Sequence, residues 1–244
     1  MTKGLFAALD IYYNDDEHSA AMNMAIDEAL LDSIAVPSIR FYRWRSPALS
    51  FGYFGKFTDV ADYAAKRDLV RRWTGGGIVF HGEDLTYSIV VPPGDPVFAQ
   101  SSMSIYEKIH RALCNALAAN GERVELALVA RVVDAGAAKL AKGTGVSEPS
   151  YKTDRGYGCF ANPVRADVML NGRKIAGAAQ RRTRRGLLQQ GSIQYVDLGN
   201  GLAQRFTKEL SNNCKTRNLP DAVRYRAQEI VAQKYGTEDW LRKR

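Results

Sequence analysis

The sequence predicts an α+β fold in which a mostly antiparallel, partly mixed sheet is packed by helices. Strand-like segments follow one another between residues 38 and 91 instead of alternating with helices. Two apolar-periodic segments, residues 19–34 and 104–120, predict helices that pack on this sheet. Asn171-Gly172, a dipeptide typical of two-residue hairpin turns, predicts a further pair of strands.

The first half of the chain is predicted to hold one helix and then a run of strands. Apolar residues at helical spacing, among them Met22, Ile26 and Leu30, predict the helix over residues 19–34. A short helix over residues 59–66 interrupts the strands, and prolines punctuate the turns between them. These strands are expected at residues 38–44, 48–53, 68–73, 77–81 and 85–91.

The second half continues with the helix over residues 104–120 and then a Gly- and Lys-rich segment, residues 137–158, expected to be a long loop. Long loops in compact domains are usually functional or disordered. A hairpin over residues 166–179 and a strand over residues 187–196 follow. Residues 1–244 are therefore interpreted as a single domain, with a helical C-terminal tail from about residue 202.

Composition favours a cytoplasmic globular protein. The 244 residues are 45% hydrophobic and 25% charged, and no apolar run approaches the roughly 18 residues of a membrane span. The first ten residues show no secretory signal, so neither a membrane nor a secreted location is expected. Cys114, Cys159 and Cys214 have no CxxC pairing, which predicts free thiols and no structural zinc.

A formal net charge of +8 favours acidic partners. The basic residues cluster at Arg71-Arg72, at residues 181–185 and at residues 242–244. No helix-turn-helix, zinc finger or aromatic-basic motif accompanies them, so nucleic acid is not the expected partner. An acidic carrier protein and an anionic nucleotide both fit this charge.

The stretch from Arg71 to His81, RRWTGGGIVFH, is the first candidate binding motif. Its three glycines, Gly75, Gly76 and Gly77, let the backbone approach a ligand closely. The paired arginines Arg71 and Arg72 can hold a phosphate or a carboxylate. From the residues alone, a binding motif and a Gly-rich hairpin with a solvated arginine pair are equally good interpretations. The spacing matches neither a Walker loop nor GxGxxG.

The second candidate motif is the hairpin sequence that contains Gly172-Arg173-Lys174-Ile175-Ala176-Gly177. A lysine just past a tight turn and flanked by small residues can reach into a pocket and stabilise negative charge on an acyl carbonyl. An exposed hairpin lysine is the alternative, which the small apolar residues after Lys174 disfavour.

The third candidate is Cys159, between Gly158 and Phe160. A thiolate whose pKa is lowered by a nearby cation, such as Lys174, is a strong nucleophile and forms thioesters that an amine can attack. The spacing alone favours the alternative, a small buried hydrophobe without chemistry.

Together, the RRxxGGGxVxH stretch, the GRKIAG hairpin and the Cys-Phe step resemble the lipoate/biotin protein ligase and octanoyltransferase superfamily over about residues 5–240. The resemblance implies that superfamily's class II synthetase-like catalytic domain. It also implies an acyl-binding pocket with catalytic residues Cys159 and Lys174. The implied binding residues are Arg71, Arg72, Gly75, Gly76, Gly77, His81, Gly177 and Ala178.

The resemblance implies an acyltransferase of protein lipoylation that moves an octanoyl or lipoyl group through a Cys159 thioester, without metal or other cofactor. The implied donor is acyl carrier protein, and the implied acceptors are lipoyl domains of 2-oxoacid dehydrogenases or the glycine cleavage H protein. One alternative is a lipoate-protein ligase that uses ATP and Mg²⁺ to form a lipoyl-adenylate. An alternative of another class is a non-catalytic module that binds acidic or acylated partners.

Overall fold

The computed structural model describes residues 4–13, 17–119, 123–128, 163–196, 198 and 201–243. Cys159 and the expected loop over residues 137–158 lie outside these ranges. The described helices are α1 (Ala20–Ser33), α2 (Ser102–Ala118), α3 (Leu202–Leu210), α4 (Asp221–Ile230) and α5 (Glu238–Leu241). The strands are β1 (Leu9–Tyr13), β2 (Ser38–Tyr42), β3 (Ala48–Phe51), β4 (Asp68–Arg71), β5 (Val79–His81), β6 (Leu85–Val91), β7 (Val124–Leu126), β8 (Val168–Leu170), β9 (Arg173–Thr183), β10 (Gly186–Ile193) and β11 (Cys214–Arg217).

Within the described residues, eight strands form one sheet in the order β11-β1-β2-β6-β10-β9-β8-β7. The pairings of β1 with β11 and with β2 are parallel, and the other pairings are antiparallel. This arrangement confirms the predicted fold class, a mostly antiparallel mixed sheet with helices packed on it.

Helices cover both faces of this sheet because its central strands alternate apolar residues between two cores. On β2, Ile39 and Phe41 join the core under α2 and α3, whereas Tyr42 joins the core under α1 and α4. Each long helix begins at a serine whose hydroxyl accepts a backbone N–H, Ser19 for α1 and Ser101 for α2. Such caps contribute about 1 kcal/mol each.

A second, three-stranded sheet in the order β4-β3-β5 encloses a small core of Leu49, Phe51 and Val60. It is connected to the glycine-rich segment, where the amide of Tyr53 donates to the carbonyl of Thr74 at 2.9 Å. A Cβ on Gly52 would lie 2.0 Å from the Gly76 carbonyl oxygen, so only glycine allows this approach.

Several predicted elements were wrong. Instead of one helix over residues 59–66, this region has two short 3-10 helices, Phe57–Asp59 and Ala61–Tyr63. The tail from residue 202 is not purely helical, because Cys214–Arg217 forms strand β11 at the sheet edge. Strands β1 and β7 were also missed, since such short segments have too few residues to show a period of two.

No helix in the described part of the chain is both long and apolar enough to cross a membrane.

Candidate active site

A narrow cavity opens between α1, the large sheet and the three-stranded sheet. Its walls come from α1 and from strands β2, β3, β5, β6, β9 and β10. The empty space between its walls, counted out into the solvent at its open mouth, is about 420 Å³. Apolar groups such as Met24, Val79 and Ala178 make up most of the wall, with a few polar side chains among them. Such a cavity suits an elongated apolar ligand that carries one polar end.

Arg72 is the arginine of the predicted pair that reaches this cavity. It is buried, and its guanidinium donates to the carbonyls of Gly75 at 3.1 Å and Gly77 at 2.7 Å. It also donates to the hydroxyl of Ser50 at 2.6 Å. Arg72 therefore holds the glycine-rich segment against the small sheet and brings positive charge to the cavity wall.

Arg71 has a structural position instead. Its guanidinium donates to five backbone carbonyls, two near the end of β3 and three in and after α5. The acceptors are those of Tyr53, Gly55, Trp240, Leu241 and Lys243. These bonds connect β4 to the C-terminal segment. Of the two arginines, only Arg72 therefore remains a candidate for contact with a ligand.

His81 lies in the cavity wall with hydrogen bonds at both ring nitrogens. Its Nδ1 lies 2.8 Å from Oδ2 of Asp84, and its Nε2 lies 2.7 Å from Oγ of Ser50. The ring stacks on Trp44 with 4.0 Å between centroids. Burial alone would raise the pKa of Asp84, but the charge of His81 and hydrogen bonds from His81, Ser192 and the Gly82 amide lower it.

Lys174 is buried near the start of β9, opposite Met169 of β8, rather than exposed on the hairpin. Its Nζ lies 2.8 Å from Oδ2 of Asp167, whose other oxygen accepts from the Tyr106 hydroxyl at 2.6 Å. A Cβ on Gly177 would lie 2.6 Å from Nζ, which places the ammonium directly over Gly177. Since Gly177 lines the cavity, Lys174 lies at its border.

A second buried polar cluster lies behind the cavity and is centred on Asp27 of α1. Its carboxylate accepts from Arg40 at 2.9 Å, from Tyr42 at 3.0 Å and from Gln190 at 2.7 Å. The Gln190 amide oxygen in turn accepts from the hydroxyl of Thr74 at 2.9 Å. Gln190, which lines the cavity, thus connects α1 to the glycine-rich segment.

The structure brings some of the sequence-predicted residues together and not others. Arg72, His81, Gly177 and Ala178 line one cavity, and Lys174 borders it. The glycines Gly75, Gly76 and Gly77 lie beside it, held by Arg72, with Gly76 against Ala179. The proposed nucleophile, Cys159, lies outside the described residues.

Sequence reasoning missed the partners of these residues, namely Ser50, Asp84, Asp167 and Gln190. Asp84 follows His81 by three residues, a spacing that could have indicated the pair. The ion pair between Lys174 and Asp167 joins the two sides of the hairpin turn. In the sequence, these residues are only two opposite charges within one predicted hairpin.

The family described as the lipoyl protein ligase A/B catalytic domain matches residues 19–231, and the chain belongs to this family. The resemblance inferred from the motifs is thereby confirmed. Relatives named octanoyltransferase LipM include that of Oceanobacillus iheyensis, 36% identical over 190 residues, or 75% of this chain and 62% of the relative. The LipM of Bacillus cereus is 34% identical over 197 residues, or 77% and 66%. That of Halalkalibacterium halodurans is 32% identical over 224 residues, or 86% and 76%.

The chain thus spans less than two thirds of the length of the Oceanobacillus and Bacillus cereus relatives. Solved structures show the same fold. A lipoate-protein ligase A bound with ATP is 23% identical with a TM-score of 0.68, covering 97% of this chain and 98% of the other. A bi-partite lipoate protein ligase from Thermoplasma acidophilum, described with its E2 lipoyl domain, is 20% identical with a TM-score of 0.66, covering 97% and 96%.

Proposed function

We propose that this chain is an acyltransferase of protein lipoylation that moves an octanoyl, or lipoyl, group onto a lysine of a lipoyl carrier domain. The observation that carries the proposal is the narrow, mostly apolar cavity that Lys174 borders over Gly177. The apolar wall fits an alkyl chain, and a buried cation at its border suits the carbonyl end. The octanoyltransferase names of the relatives support the same substrate class.

In the proposed reaction, the thiolate of Cys159 attacks the carbonyl carbon of an octanoyl thioester on acyl carrier protein. The carrier thiol leaves and takes up a proton, and the octanoyl group stays on Cys159 as a thioester. The amine of a carrier-domain lysine then attacks this thioester, an amide forms, and the Cys159 thiol is released. Lys174 stabilises the oxyanion that develops in both steps, without a metal or ATP.

The proposed acceptor is a lipoyl domain of a 2-oxoacid dehydrogenase or the glycine cleavage H protein. Its support is the Thermoplasma ligase of the same fold, whose structure is described with an E2 lipoyl domain. The basic segment at residues 181–185 would attract such acidic partners. Three of its arginines also have partners within the chain. Arg182 donates to the Gln100 carbonyl, Arg185 pairs with Asp32, and the Arg181 guanidinium lies over the rings of Tyr53 and Trp73.

The test is the intact mass of the protein after mixing with octanoyl-acyl carrier protein in the absence of ATP and Mg²⁺. We expect a gain of one octanoyl group that neutral hydroxylamine removes, and its loss in Cys159→Ala. Cys214→Ser is the matched control, because burial raises the pKa of the Cys214 thiol and makes it a poor nucleophile. An adduct in Cys159→Ala that neutral hydroxylamine still removes would contradict the thioester route.

The same mixture distinguishes the alternatives. A lipoate-protein ligase would leave the protein unmodified in the first experiment and would modify a lipoyl domain only with free lipoate, ATP and Mg²⁺. A non-catalytic binding module would bind octanoyl-acyl carrier protein and modify no lipoyl domain under either condition.

A further inference from the structure

Ser50, His81 and Asp84 form a hydrogen-bonded series in the cavity wall. The distance from Oγ of Ser50 to Nε2 of His81 is 2.7 Å, and the distance from Nδ1 of His81 to Oδ2 of Asp84 is 2.8 Å. All three side chains are buried, and both Ser50 and His81 line the cavity. A nucleophile within hydrogen-bond reach of a base that a third group orients is the geometry of nucleophilic acyl transfer.

The network around Asp84 determines which way the protons point. The Asp84 carboxylate accepts from the Gly82 amide and from two hydroxyls, so it acts as an acceptor, and Nδ1 of His81 donates to it. Thr86 at 2.9 Å and Ser192 at 2.7 Å donate to the same oxygen. In a neutral imidazole, Nε2 is then the acceptor that faces Ser50.

Arg72 completes the assignment on the other side of Ser50. A guanidinium only donates, so Arg72 at 2.6 Å occupies a lone pair of the Ser50 oxygen. The one hydroxyl hydrogen of Ser50 is left to point at Nε2 of His81. Arg72 also places positive charge beside the oxygen that would become negative when the proton leaves.

The ring that would receive this proton is held firmly. His81 stacks on Trp44, and the Trp44 indole N–H donates to the Thr86 hydroxyl at 2.9 Å. Since Thr86 in turn donates to Asp84, ring stacking and hydrogen bonding hold the imidazole from two sides. Such support is what a catalytic base needs to keep its geometry.

We propose that Ser50 is a second acyl-accepting nucleophile of this cavity, which gives the protein an esterase and thioesterase activity towards medium-chain acyl groups. Oγ of Ser50 attacks the acyl carbonyl, its proton passes to Nε2 of His81, and the leaving alcohol or thiol takes that proton. Water then attacks the Ser50 ester in the same way and releases the free carboxylic acid. The inference rests on the proposed function only in taking the cavity to bind an acyl chain.

The test uses the whole chain and an octyl fluorophosphonate, which reacts with activated serines by forming an O–P bond and expelling fluoride. After trypsin digestion, we expect the modification in the peptide of residues 46–56, on Ser50 and not on Ser46. Ser46, an exposed serine of the same peptide, is the internal control, and Ser46→Ala is expected to be labelled normally. Labelling of the wild type does not depend on whether any Ser50 variant folds.

Hydrolysis of p-nitrophenyl octanoate is the second readout. We expect Ser50→Ala and Asp84→Asn each to lower kcat/KM by about 100-fold or more, the usual effect of losing acid–base assistance. Cys159→Ala should keep this hydrolysis while it loses the hydroxylamine-labile adduct. Two results would overturn the proposal: no label on Ser50 in the wild type, or hydrolysis by Cys159→Ala that survives when Ser50→Ala is added to it. A normal Cys159 adduct together with either result would leave the octanoyl transfer standing.

Discussion

The ammonium of Lys174 lies 2.8 Å from Oδ2 of Asp167, in an ion pair whose side chains are 2% and 0% exposed. Asp167 further accepts from the Tyr106 hydroxyl at 2.6 Å and from the Val164 amide at 2.7 Å. Taking two charges out of water is costly, and these bonds compensate for that cost. The pair holds a cation at the border of an apolar cavity, where it would act on a carbonyl most strongly.

Replacing one partner of this pair should destabilise the protein more than replacing both. Asp167→Asn leaves a buried ammonium without its counter-ion, and we expect a loss of about 3 kcal/mol in the free energy of unfolding. The double variant Asp167→Asn/Lys174→Met should recover much of it. Urea unfolding at pH 7 measures the free energy of unfolding of both variants.

Arg226→Ala is the control, since the Arg226–Glu229 pair has the same 2.8 Å separation on the surface and should contribute nothing measurable. Additive losses would show that the two charges do not depend on each other.

Gly177→Ala should abolish transfer by displacing Lys174. The new methyl group would lie 2.4 Å from Cε and 2.6 Å from Nζ of Lys174, so the ammonium has to move. We expect octanoyl transfer to fall at least about 100-fold, because a displacement of about 1 Å has effects of this size. Gly94→Ala is the matched control, since a Cβ there meets no atom within 4 Å. A fully active Gly177→Ala would argue against a role for the Lys174 position.

His110 should make the protein less stable in mild acid. Burial lowers the pKa of this imidazole from 6.5 to about 4. The unfolded chain therefore binds a proton that the folded chain refuses, and stability falls as the pH drops from about 6.5 to 4. The full effect is about 3 kcal/mol, at 1.36 kcal/mol per pKa unit.

The measurement is the free energy of unfolding in urea at pH 7, 5.5 and 4 for wild type and His110→Gln. A glutamine cannot take up the proton, so the variant should lose about 3 kcal/mol less than the wild type over this range. Parallel pH dependences for the two proteins would contradict the assignment.

Arg71→Lys should release the C-terminal segment. An ammonium cannot reproduce the forked set of donors that Arg71 presents to carbonyls of Tyr53, Gly55 and the α5 segment. We expect a loss of about 2 kcal/mol in stability and faster amide hydrogen exchange at residues 238–243. Arg242→Lys is the control, because the Arg242 side chain is exposed and contacts Glu238 and the Phe57 ring instead of backbone carbonyls of this segment. Unchanged exchange in Arg71→Lys would rule out this connection.

Much of the local structure was predictable from periodicity. Helix α1 was expected over residues 19–34 and forms over Ala20–Ser33, and the Asn171-Gly172 turn joins β8 to β9 as expected. The C-terminal strand β11 was not predicted, because Lys215 and Arg217 are exposed and its sequence has no apolar alternation. It exists because β1 offers a parallel partner about 200 residues away in the chain, which no local pattern reports.

The sequence by itself determined that a glycine-rich segment, a lysine hairpin and a pair of arginines belong to one family of sites, because short motifs carry that information locally. Neighbours on an extended chain point to opposite sides, so Arg71 and Arg72 do not share the single site that we expected from the motif. Which of them faces the cavity was decided only by the tertiary structure. The C-terminal segment packs on one side of β4 and binds Arg71, while Ser50 and the cavity lie on the other and bind Arg72. Those partners lie about 20 to 170 residues away, so only folding brings them together.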